Sequence, residues 1–273
     1  MPISNNLLTP YIFGSGYWCY ANKKGYKAMY FGQKACMMQP KSIEALLLKG
    51  NLLLDMKKLP HAMDHFREAI TVASYRYETH KGLVDCYLAQ SRHREAISVA
   101  TTACKQLNNS QRALTLFATV LAKDPVNMST AKAKTLLEKA LHSDPFYLPA
   151  IYLLAEIYDQ ELEGEKAKEL LNKALKSQST AKLHQMLGDL LAKNHDEEKA
   201  MHHYNVALNL DPKNVSAQEG LQKMEHATDT VLEPSYDLEM EEMNSDEAEL
   251  EESETEAVWS DGDLNLASSN VSF

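Results

Sequence analysis

Apolar residues along the chain recur at helical spacing in short blocks, and polar breaks separate the blocks in a steady rhythm. Between residues 181 and 212, two such blocks flank the break Lys193-Asn194-His195-Asp196. The first block carries Leu187 and Gly188 side by side. The second carries Ala200, Tyr204 and Ala207, and Asp211-Pro212 closes the unit. Apolar positions three and four residues apart predict two amphipathic helices, and the proline cannot continue the second. The same unit recurs upstream. Its first alanine reappears at Ala28, Ala62, Ala96, Ala133 and Ala167, and its second at Ala35, Ala69, Ala103, Ala140 and Ala174. Successive steps are 34, 34, 37, 34 and 33 residues in both series. The step of 37 coincides with a longer loop over residues 124–130.

This pattern resembles the tetratricopeptide (TPR) repeat, a helix–turn–helix of ~34 residues with W-x2-L-G-x2-Y, then A-x3-F, then a later proline. In the last unit His184 stands for the Trp, Leu191 for the first Tyr and Tyr204 for the Phe. The glycine position is taken by Gly16, Gly50, Val84, Ala118, Ala155 and Gly188 in turn, small in five of six. Small residues let two helices approach closely, and the aromatic fills the space between repeats. The expected fold is all-α: a right-handed TPR superhelix of six helix pairs. A lead-in over 1–8 precedes repeats at about 9–42, 43–76, 77–110, 111–147, 148–180 and 181–214. A capping helix over 215–226 and an acidic tail over 227–273 follow. The capping helix should be polar outside, because nothing covers the end of such an array.

Charge is distributed unevenly. The 273 residues carry a formal net charge of -10, but after Met224 there are 16 Asp and Glu and no Lys or Arg. The first 224 residues therefore hold 22 acids against 28 bases, a mildly basic body. The tail has few aliphatics and dense like charge, so it should be disordered. Ser253 and Ser260 within it have the spacing of acid-directed phosphorylation sites. Cys19, Cys36, Cys86 and Cys104 are scattered without C-x2-C spacing and read as small buried hydrophobes. Reduced thiols and the lack of a signal-like start or a long apolar run suggest a soluble intracellular protein of the nucleus and cytoplasm.

No catalytic or cofactor-binding constellation emerges, so no enzyme activity and no cofactor is expected. The group His61-x2-Asp64-His65 has zinc-helix spacing but lacks a third ligand, and reads as an exposed polar face. Phosphate-binding and nucleophile-elbow glycine motifs are missing. The excess of bases is too thin and dispersed for nucleic acid. What remains is surface. In such an array the first helices of the repeats line a concave groove suited to an extended peptide or a partner helix. Asn51, Lys81, Asp85, Arg112, Thr119, Lys123, Tyr152 and Lys193 fall along it. Lys81, Arg112 and Lys123 could meet an acidic or carboxylate-ended segment. The Lys-and-Asn clamp of chaperone-binding TPR proteins is not assembled: Leu47 precedes Asn51 by one turn, and Asp85 follows Lys81. The first repeat crowds Tyr11, Phe13, Tyr17, Trp18 and Tyr20 into its first helix, a candidate partner surface.

At the level of wording, EALLLKG, HFREAI, GLVDCYLA, AKTLLEKAL, LHQMLGDLL, ALNLDP and GLQKME, in order, are similar to one particular group. They resemble the carboxy-terminal half of the subunit-seven family of the anaphase-promoting complex (cyclosome), from about Gly16 to Glu225 and including the long loop. The resemblance implies a non-catalytic scaffold of a mitotic ubiquitin ligase, stacked with other TPR subunits and helping to present coactivators and substrates. A TPR adaptor or co-chaperone gripping a peptide in its groove is the alternative. The family's chains are about twice as long and carry further amino-terminal repeats that mediate homodimerisation. Those repeats have no counterpart here, so homodimerisation is not implied.

Overall fold

The computed structural model describes the backbone of residues 5–124 and 129–231, and side chains over 10–124 and 129–224. Among the described residues there are thirteen α-helices and no strand. The first six are α1 Asn5–Ala21, α2 Gly25–Met38, α3 Ile43–Asp55, α4 Leu59–Val72, α5 Tyr77–Ala89 and α6 His93–Gln106. Then come α7 Gln111–Ala122, α8 Thr130–Ser143, α9 Leu148–Gln160, α10 Gly164–Leu175, α11 Ala181–Lys193, α12 Glu197–Leu210 and α13 Val215–Val231. They form six antiparallel pairs and one further helix, the all-α TPR solenoid. Each helix packs on the next in sequence, and α1–α3, α3–α5, α5–α7, α7–α9 and α11–α13 also touch directly. The odd-numbered helices therefore form one row.

Two boundaries differ from the sequence reading. Helix α1 starts at Asn5, so half of the supposed lead-in is helical and Pro10 lies inside the helix. A proline this near a helix start removes one backbone bond but leaves the following turns intact. Helix α13 continues to Val231 instead of stopping at His226. The long acidic segment from residue 232, with Ser253 and Ser260, lies outside the described residues, as does the middle of the loop at 125–128.

The signature alanines are the fixed points of the packing. All twelve are at most 3 % exposed, because a larger side chain there would push neighbouring helices apart. Between them the repeats solve one volume problem in different ways. Phe66, fully buried, fits between α3 and α5 because Gly50 and Gly82 face its ring. A methyl group at Gly50 would lie 2.8 Å from Phe66 Cε1, and one at Gly82 would collide with the same edge. Tyr204 repeats the arrangement with Gly188 and Gly220, whose added methyls would lie 2.7 and 2.5 Å from the ring. In the first repeat the volumes are exchanged. Gly32 occupies the aromatic position, and Leu48 of the next repeat reaches in toward Gly16. Leu137 and Leu171 fill the same position in the fourth and fifth repeats, each fully buried.

The turns inside the repeats share one geometry. Lys23, Lys57, Ser91, Leu162 and His195, each seven residues past the glycine position, adopt φ of 55° to 61°. The next amide in each turn donates to a carbonyl five residues back, as Lys24 does to Cys19 (2.9 Å) and Asp196 to Leu191 (3.0 Å). This is the hydrogen-bond closure that usually places glycine in the left-handed position. Here no described glycine has positive φ. The cost of a side chain in that region, about 1–2 kcal/mol, is borne by the packing on either side.

Candidate protein-interaction surfaces

Polar side chains on the odd-numbered row pair largely with one another. Glu44 on α3, Glu78 on α5 and Arg112 on α7 share one repeat position, 34 residues apart. Arg76, just before α5, bridges the first two through Nη1 to Glu44 Oε1 (3.6 Å) and Nε to Glu78 Oε2 (3.5 Å). Arg112 Nη2 reaches Glu78 Oε1 at 3.0 Å, and its guanidinium lies 4.1 Å from the centre of the Tyr77 ring. Partial burial disfavours the Glu78 carboxylate, but a backbone hydrogen bond and the two arginines outweigh it and hold its pKa below the usual range. Burial, with Tyr147 next in effect, pushes the Tyr77 hydroxyl up to about 12. The result is a charged ladder across three repeats.

The groove residues proposed from sequence are mostly engaged. Lys81 Nζ pairs with Asp85 one turn on at 2.6 Å. Lys193 on α11 crosses to Asp159 on α9 at 2.5 Å. Arg112 belongs to the ladder just described. Tyr152 Oη and Thr180 Oγ1 share a hydrogen bond of 3.1 Å, and the Thr119 hydroxyl donates to Thr115 O at 2.8 Å. Asn51 is half-buried, and Lys123 is exposed at the end of α7. A ligand carboxylate arriving here must displace an internal partner from Lys81, Arg112 or Lys193. Exposed ion pairs contribute only about 0.2–1 kcal/mol each, so displacement is cheap, but the row offers no prearranged acid-binding clamp.

One polar group was overlooked in the sequence. Asp189 on α11 accepts the Tyr204 hydroxyl at 2.9 Å and a Gln185 amide hydrogen bond. Burial raises its pKa against both bonds and the nearby lysines. The signal was Tyr204 itself: a buried tyrosine at a phenylalanine position needs a partner for its hydroxyl. On the neighbouring face, His184 Nδ1 and His203 Nδ1 are 3.0 Å apart, and Ser179 Oγ is 3.0 Å from His184 Nε2. Burial, with neighbouring histidines adding to it, lowers both pKa values. No group of three or more His, Cys, Asp or Glu able to hold a metal comes together among the described residues. Cys19, Cys86 and Cys104 are buried and Cys36 is half-buried; all four are free thiols. Burial pushes the Cys86 thiol up to about 11.

The aromatic residues of α1 do not act together. Phe13 and Tyr20 are packed against buried core residues of the first two repeats, with Tyr20 pushed up to about 12 by burial and its bond to Asp55. Tyr17 donates its hydroxyl to Glu44 O at 3.2 Å, toward the next repeat. Tyr11 and Trp18 stand clearest, at 68 % and 58 % exposure, with Tyr17 less so at 38 %. On α2, Tyr26, Tyr30 and Met37 join them at 90 %, 58 % and 82 %. The exposed face of the first repeat thus spans both of its helices. The sequence reading, confined to α1, missed half of it.

Comparison with known proteins agrees with this architecture. Tetratricopeptide-repeat family models match residues 128–190 and 181–214. Human anaphase-promoting complex subunit 7 is 40% identical over 261 residues, 95% of this chain and 46% of that protein. The Arabidopsis thaliana protein of the same name is 31% identical over 198 residues, 72% of this chain and 35% of that protein. The chain spans about half the length of the human and mouse relatives it matches. A tetratricopeptide repeat protein from Parabacteroides merdae superposes with a TM-score of 0.65 at 15% identity, covering 82% of this chain and 85% of that one. A chain of the Cut9–Hcn1 hetero-tetramer of the anaphase-promoting complex gives 0.58 at 15%, covering 78% and 42%. At such identity these two structures speak for the fold alone. With twelve buried alanines in register, six helix pairs and matching repeat models, the chain is built of tetratricopeptide repeats, and over nearly its whole length it is similar to part of anaphase-promoting complex subunit 7.

Proposed function

We propose that this chain is a non-catalytic scaffold of the anaphase-promoting complex, a cell-cycle ubiquitin ligase, and that it works by holding other proteins. The observation that carries this is the 40% identity extending over 95% of the chain, far beyond what a generic repeat pattern requires. Its partners on this reading are other TPR subunits and coactivator tails, and its compartments the nucleus and cytoplasm. The first repeat, with exposed side chains on two helices, supplies the contact face. Interfaces of stable complexes bury about 1,200–2,000 Å², and aromatic residues are favoured anchors within them. Affinity purification of the tagged chain from dividing cells, followed by mass spectrometry, tests the proposal. Recovery of the other TPR subunits together with the cullin-type subunit is the expected result. Their absence, with the chain well expressed, would leave only common ancestry. The groove-binding adaptor is less favoured, because Lys81, Arg112 and Lys193, three of the four groove cations, are already paired inside the chain.

A further inference from the structure

The first repeat is also charged with one sign only. Residues 1–43 contain Lys23, Lys24, Lys27, Lys34 and Lys41 and no Asp or Glu; the first acid of the chain is Glu44. Several of these lysines stand beside the exposed aromatics. Lys24 Nζ is 4.5 Å from the centre of the Trp18 ring, and Lys34 Nζ is 5.9 Å from that of Tyr30. Lys27 forms part of the wall of a shallow hollow of about 510 Å³, together with Tyr11, Gly14, Trp18 and Phe31. The opposite side of α1 is closed: a methyl at Gly16 would lie 2.6 Å from Leu48 Cδ2. At Gly14 nothing lies within 4 Å of where a side chain would begin, so the hollow has a bare backbone floor.

We infer that this hollow binds an acidic peptide segment of another protein, one that carries an aromatic or branched aliphatic side chain among its carboxylates. The apolar side chain would sit over Gly14 between Tyr11 and Trp18, and the carboxylates would face Lys24 and Lys27. Charge selects the partner. A basic or neutral segment would leave this cluster of lysines uncompensated, whereas complementary charge speeds encounter and excludes wrong partners. Nucleic acid fits less well, because Lys24 and Lys34 already lie against the aromatic rings that would otherwise serve as stacking platforms. The inference rests on reading the first repeat as a contact face and does not depend on membership of any complex.

The test is fluorescence anisotropy with the full-length chain and a labelled synthetic peptide rich in Glu and Asp with interspersed Leu and Phe. Controls are a peptide with Ser at the apolar positions, a Lys-rich counterpart and a single-stranded oligonucleotide. Three variants address the hollow. Lys24→Glu with Lys27→Glu reverses the charge, Trp18→Ala removes one wall, and Gly14→Leu fills the floor while favouring the helix. Circular dichroism confirms that each is folded. The expected result is saturable binding of the acidic apolar peptide, weakened about tenfold or more by charge reversal and by Gly14→Leu, and weakened by added salt. Binding that survives all three variants would overturn the inference, as would preference for the Lys-rich peptide or the oligonucleotide. A self-associating chain that becomes monomeric on Trp18→Ala or Gly14→Leu would assign the hollow to a second copy and overturn it too. Failure of co-purification with the complex would leave this result untouched, so the two ideas fail separately.

Discussion

The first and last repeats follow one period and reach opposite solutions. At the α11–α13 end, Tyr204 is clamped between Gly188 and Gly220, its hydroxyl tied to Asp189, and α13 presents Gln218, Glu219, Gln222 and Lys223 outward. At the α1–α2 end the aromatic position is Gly32, Leu48 fills the interior from the next repeat, and aromatic rings stand outside. Aromatic mass that is internal at one end is external at the other. The repeat rule thus specifies helix spacing through the alanines, while the larger residues between them decide whether a face is closed or available.

The largest effect that would separate the two ends is truncation of an aromatic ring. Tyr204→Ala should cost about 3–5 kcal/mol, since it empties a ring-sized space and leaves Asp189 short of a donor. Trp18→Ala, at a side chain more than half exposed, should cost below about 1 kcal/mol. Urea unfolding of both variants checks this, and comparable losses would erase the distinction.

Adding a methyl group sharpens it. Gly188→Ala should destabilise by about 1–3 kcal/mol because the Tyr204 ring cannot withdraw. Gly32→Ala meets Leu52 Cδ1 at an acceptable 3.4 Å, so the gain in helix propensity, about 1 kcal/mol at most, should leave that variant neutral or more stable. Thermal unfolding should lower the midpoint of Gly188→Ala and leave that of Gly32→Ala unchanged or raised.

The histidines add a pH dependence to the last repeat that the first repeat, which has no histidine, lacks. The folded pKa values of His184 and His203 lie below the ordinary 6.5, so folding favours their neutral forms. Their contribution is fully present above 6.5. It declines as pH falls below that value, where the unfolded chain takes up protons first, and levels off once the folded pKa values are passed. His65, also lowered, adds a slope of the same sign. Melting temperature should therefore fall between neutral pH and about pH 5, and His184→Gln with His203→Gln should flatten part of that fall. An unchanged slope in the double variant would remove these histidines from the account.

The smallest effect should be equal at both ends. Lys23→Gly and His195→Gly each relieve a left-handed side chain at φ of 55° and 59°, against a loss of chain entropy of similar size. Both changes should fall within about 1 kcal/mol and on the stabilising side. A large destabilisation of either would mean that its side chain, and not the turn, matters there.

How much of this was legible in the sequence follows from which residues carry periodic information. The alanines did, because every copy of the unit needs a small residue at the same helix crossing. The left-handed turns did not: glycine usually marks them, and here Leu162 takes the position while 93 % exposed. Helix α1 starts four residues before the first repeat as read from sequence, and α13 runs past His226 although its last residues have no apolar stripe. The ladder of Glu44, Glu78 and Arg112 was present in the 34-residue spacing, yet only Arg112 was singled out, because one partner of a salt bridge does not identify the other. The exposed face of the first repeat was half-seen, since Tyr26, Tyr30 and Met37 lie on α2 outside the conspicuous aromatic cluster.

The central claim is that the first repeat, and not the odd-helix groove or the α13 face, is where this chain meets its partners. Quantitative mass spectrometry of tagged chains from dividing cells tests it most directly. The set comprises Tyr11→Ala with Trp18→Ala, Lys81→Ala with Lys193→Ala, and Gln218→Arg with Gln222→Arg, each confirmed folded. The account predicts that partner recovery falls several-fold in the first pair and stays near wild type in the other two. Undiminished recovery with the first pair, or loss confined to the groove or to α13, would contradict it.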